Sequence, residues 1–143
     1  MHMLPETEML QYIYKTADMG VSGIDAVLKR LEESPVKEAL EGQRKDYERI
    51  GREARRLLER QGAEVTQAGG AAKASAHWMA AGKLALDHSP SKVAEMTIQG
   101  TTMGITKTLK HLHDNPDGGE AVELGQQLLA LQESGVEQMK AYL

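Results

Sequence analysis

Apolar residues recur along most of the chain at alternating steps of three and four, which places them on one side of a helix. Leu10, Ile13, Ala17, Gly20, Ile24, Val27 and Leu31 form the first such stripe and predict a helix over about residues 6 to 32. A strand could not bury that set, because its side chains change face at every residue. Ser34 and Pro35 stop this helix and start another, since a serine hydroxyl caps free amides and proline suits the first helical position. The second stripe runs Val36, Leu40, Gln43, Tyr47, Ile50, Ala54, Leu57 to Gln61, with Gly62 as its end signal. Residues 62 to 70 read as a loop, and the Ala-rich stretch from 71 to 87 as a shorter helix. Ser89 and Pro90 repeat the start signal ahead of a third long stripe of Ala94, Ile98, Thr101, Ile105, Leu109 and Leu112. Asn115, Pro116, Asp117 and Gly118–Gly119 make the next turn, and Val122, Gly125, Leu129, Gln132, Val136, Met139 and Leu143 mark the last helix.

Four long helices of about 24 to 27 residues, each ~36 to 40 Å at 1.5 Å per residue, are the arithmetic of an all-α four-helix bundle. Short turns near Ser34 and Pro116 make helices one and two, and helices three and four, antiparallel pairs. The long segment from Gly62 to Ser89 is expected to carry a short crossover helix back along the bundle, which sets helices two and three parallel in ferritin-like connectivity. A five-helix up-and-down bundle is the alternative. The whole chain, 1–143, is read as one domain. The matching Ser-Pro starts suggest an internal repeat, although two helices that each need a cap account for them.

Composition supports helix: phenylalanine is absent, and the only aromatics are Trp78 and Tyr12, Tyr14, Tyr47 and Tyr142. With no cysteine, disulfides, thiol catalysis and cysteine-ligated metals are excluded. No apolar run approaches the ~20 residues that span a bilayer, and no hydrophobic stretch follows a basic start, so a cytoplasmic location and no membrane partner are expected. The net charge of −4 repels a phosphate backbone at long range. All seven arginines nevertheless fall between residues 30 and 60, and Lys45, Arg49, Arg52, Arg56 and Arg60 form a stripe on helix two. Glu41, Glu48 and Glu53 stand three or four residues from Lys45, Arg52 and Arg56, which favours a salt-bridged solvated face over a polyanion-binding one.

The stretches YIYKTADMGVSGIDAVL, from Tyr12 to Leu28, and SPSKVAEMTIQGTTMGITK, from Ser89 to Lys107, carry a resemblance. With the distinctive Ile98-Gln99-Gly100 and the closing Glu137-Gln138-Met139-Lys140, they resemble a family of uncharacterised small helical proteins from anaerobic Gram-positive bacteria. The resemblance implies a ferritin-like helix pattern. It transfers no catalytic residue.

A ferritin-like bundle invites a di-iron centre, which needs Glu-x-x-His pairs because positions i and i+3 project together into the core. None of the fifteen glutamates has a histidine three residues on. His77, His88, His111 and His113 lie toward the crossover or helix ends, leaving only a carboxylate set such as Asp18, Glu48, Glu95 and Glu133. Amides fall on the core stripes instead. With helices running up, down, down and up, Gln43, Gln99 and Gln132 share one level, with Tyr47 beside them on helix two. They are the candidate buried polar layer, read either as a register-setting network or as a small pocket where a relative keeps metal. Gly20 falls opposite Tyr47, giving its ring room that a Cβ would narrow. Val93, Met96, Gly100 and Met103 make a second apolar face on helix three, the candidate dimer face. No nucleophile, base and orienting residue occur at hydrolase spacing.

The expected protein is a non-catalytic, metal-free interaction or structural module without a cofactor, a homodimer open to a further protein partner and not to nucleic acid. A carboxylate-only metal-binding oxidoreductase or metal-storage protein, and a polyanion-binding helical protein, are the alternatives.

Overall fold

The computed structural model describes residues 5–65, 87–116 and 119–143. They form four helices: α1 (Pro5–Leu28), α2 (Pro35–Arg60), α3 (Pro90–Asp114) and α4 (Glu120–Lys140). Both Ser-Pro starts act as read: Ser34 Oγ accepts from the Lys37 amide at 3.3 Å and Ser89 Oγ from the Lys92 amide at 3.2 Å, each followed by proline in the first turn. Gly62 ends α2 at φ +68° and Gly119 precedes α4 at φ +93°, left-handed conformations that disfavour a side chain. The expected crossover helix over 71–87 lies almost wholly outside the described residues. No described helix is long and apolar enough to cross a membrane.

Cross-helix pairs fix the directions. Thr7 bonds Gln61 and Asp25 bonds Arg44, so α1 and α2 are antiparallel. Arg60 pairs with Glu120 and Gln43 bonds Gln138, so α2 and α4 are antiparallel too. Thr108 meets Gln132 while Leu112 packs toward Gly125, which sets α3 against α4 in the same sense. Helices α2 and α3 therefore run parallel, and the order is up, down, down, up. The helices α1, α2, α4 and α3 follow one another around the bundle. Contact is extensive along the α1–α2 and α3–α4 pairs, and α4 also packs on α1 and α2. Helices α1 and α3 meet over a short stretch only.

The core holds Leu10, Ile13, Ala17, Ile24 and Val27 from α1, and Val36, Leu40, Tyr47, Ile50, Ala54 and Leu57 from α2, the stripes read from the sequence. Leu31 lies beyond the end of α1 and is half-buried. The other two helices are rotated from expectation. On α3 the buried residues are Val93, Ala94 and Thr108, and Leu109 is 41% exposed. On α4 they include Ala121, Leu124, Leu128 and Gly135, with Val122, Leu129 and Val136 at the edge. The reason is steric. Helices approach most closely through their smallest residues, so Gly104 and Gly135 turn inward and the bulkier Ile105 and Val136 are left on the flanks.

Without phenylalanine, the bundle packs longer side chains into glycine positions. A Cβ on Gly20 would stand 2.9 Å from Tyr47 Cγ and Cδ1, one on Gly104 2.7 Å from Gln132 Nε2, and one on Gly135 3.1 Å from Gln43 Oε1. Gly125 is closed off in the same way by Met9 and Leu112. Each glycine costs roughly 1 kcal/mol of helix propensity relative to alanine, and the packed ring or amide offsets it.

Gly20→Ala therefore destabilises the protein by about 1–3 kcal/mol, since overpacking against a buried ring exceeds the propensity gain. Gly42→Ala, where a Cβ meets nothing within 4 Å, stabilises it by about 0.5–1 kcal/mol. Urea denaturation midpoints of the two variants check the opposite signs.

Candidate functional site

Two of the three layer glutamines are buried. Gln43 is 6% exposed and Gln132 2%, but Gln99 is exposed. The placement of Gln99 in the layer is corrected by helical phase: it stands nine residues before buried Thr108, two and a half turns at 3.6 residues per turn, and so on the opposite side of α3. The polar residue that α3 contributes is Thr108.

The first cluster joins α1, α3 and α4. Thr108 Oγ1 lies 2.9 Å from Gln132 Oε1 and 2.9 Å from the Gly104 carbonyl, alternative acceptors for its one proton. The Tyr12 hydroxyl, 2.8 Å away, is thereby left to donate to the Thr108 oxygen, and it lies 3.4 Å from the Gly104 carbonyl. The Tyr12 ring stacks on His111 with centroids 3.9 Å apart and planes at 23°. Burial lowers the His111 pKa, against the opposing pull of Asp114 and Glu8. In the second cluster, Gln43 Nε2 donates to Gln138 Oε1 at 2.8 Å at the α2–α4 junction. This pair borders a groove of about 450 Å³ whose rim carries Glu38 and Asp46.

Tyr47 lies between α1 and α2 against Gly20, 7% exposed, and burial pushes its hydroxyl up to about 12, with Tyr12 adding to the shift. The phenol is thus neutral and its ring serves as packing. Gln43, Tyr47 and Gln132 share the bundle interior without one continuous hydrogen-bonded layer linking them.

The candidate dimer face is also only partly external. Val93 is 1% exposed and belongs to the core, a correction that follows from the same rotation of α3. Met96 is half-buried, Gly100 exposed, and Met103 66% exposed.

Among the described residues, no three His, Asp or Glu side chains are grouped to hold a metal ion. Of the carboxylate set, Glu48 is taken by Arg44 and Arg52, Glu95 by Lys92, and Glu133 is exposed. Three arginines of the stripe are drawn into ion pairs, Arg52 with Glu48, Arg56 with Glu53 and Arg60 with Glu120, while Arg49 donates to Gln127 at 3.2 Å; beside the stripe Arg55 pairs with Glu59.

Sequence reading missed Tyr12, Thr108 and Gln138. A signal for Thr108 was present: Gly104 and Thr108 are a helical step of four, and a threonine beside an inward glycine offers a hydroxyl where helices are closest.

Thr108→Val leaves Gln132 Oε1 and the Tyr12 hydroxyl without their partner and costs about 1–3 kcal/mol, whereas Thr106→Val on the exposed side stays within about 0.5 kcal/mol. Adding Gln132→Leu to Thr108→Val recovers part of the loss, and the double-mutant cycle measures how much. For Tyr47, the folded pKa of about 12 exceeds the ordinary 10.0. Its contribution is fully present below pH 10 and lost as pH rises through 12. Tyr47→Phe flattens that part of the alkaline stability profile, read from denaturation midpoints across the window.

No family model matches this chain, and neither a curated protein nor a solved structure was found to match it.

Proposed function

We propose that the protein is a non-catalytic bundle of ferritin-like connectivity that works as an interaction module and associates with a second copy of itself. The up, down, down, up helix order supports the connectivity, with a crossover expected over 71–87. The observation that carries the non-catalytic reading is that the buried Thr108, Gln132 and Gln43 bond to neighbouring hydroxyls and amides: Tyr12 to Thr108, Thr108 to Gln132 and Gln43 to Gln138. Where a redox bundle of this type would converge several carboxylates and imidazoles inward, this chain directs mainly amides and hydroxyls, poor ligands for iron or manganese, beside an enclosed oxygen of Asp18. The interior then sets helix register, because sliding one helix by a turn unpairs every donor at once. The ion-paired arginine stripe supports a solvated face over a polyanion-binding one.

Elemental analysis of protein purified without chelators or an affinity-column metal finds iron and manganese far below one atom per chain. Stoichiometric metal would overturn the non-catalytic reading, and salt-sensitive retention on duplex DNA would favour the polyanion binder.

A further inference from the structure

We draw no further inference here: the strongest candidate, the groove of about 450 Å³ between α2 and α4 with Glu38 and Asp46 on its rim, carries nothing, because its buried amide, Gln43, is already bonded to Gln138 and nothing in the structure shows what would fill it.

Discussion

Close approach of helices through glycine is the constraint on which the rest of the bundle depends. A chain without phenylalanine has few large side chains to fill the space between four helices, and a core mainly of leucine, alanine, isoleucine and valine leaves voids unless the backbones draw together. Gly20, Gly104, Gly125 and Gly135 let them do so, each receiving a side chain from the next helix where a Cβ would stand. The same approach brings polar atoms into range. Gln132 reaches Thr108 because Gly104 yields room for its amide, and Gln43 lies beside Gly135 where it meets Gln138. Packing and hydrogen bonding are therefore one arrangement, and neither can be altered without the other.

Helix α4 has the central position in that arrangement. Like α1 it packs on each of the other described helices, and it carries one partner of both the Gln43–Gln138 and the Thr108–Gln132 contacts. Its buried apolar residues are small or free of β-branching, with Gly125, Gly135 and Ala121 buried among Leu124, Leu128 and Met139. The arginines of α2 reach α4 at two levels, Arg60 to Glu120 and Arg49 to Gln127. These exposed contacts add little energy compared with the buried ones, but they are consistent with a single register along the whole α2–α4 seam.

How much was legible in the sequence divides along the same line. The four long helices, the Ser-Pro caps, the Gly62 stop, the core stripes of α1 and α2 and the facing of Gly20 and Tyr47 follow from local spacing and are as read. The rotation of α3 and α4 is not local. A stripe drawn through Ile98, Ile105 and Leu109 is the more hydrophobic choice, yet the face turned inward is the one whose glycine and threonine permit the nearest approach. That rotation removed Gln99 from the interior and Val93 from the surface. Tyr12 and Gln138 were overlooked for a related reason: both sit at the edge of an apolar stripe, and their partners lie on helices far away in sequence.

The parallel course of α2 and α3 also bears on the order in which the molecule assembles. Pairs within the α1–α2 hairpin are close in sequence, 19 residues apart for Asp25 and Arg44, whereas Gln43 and Gln138 are 95 apart. Closing the short loop costs less chain entropy than closing the long one, so two helical hairpins should form early and dock late. In that order, substitutions at Gly20 act on the folding rate and substitutions at Gly135, which faces Gln43 of the other hairpin, act on the unfolding rate. Equal φ-values at these positions would contradict it. A late docking step also leaves two preformed hairpins free, for a time, to choose between their own partner and that of a neighbouring chain.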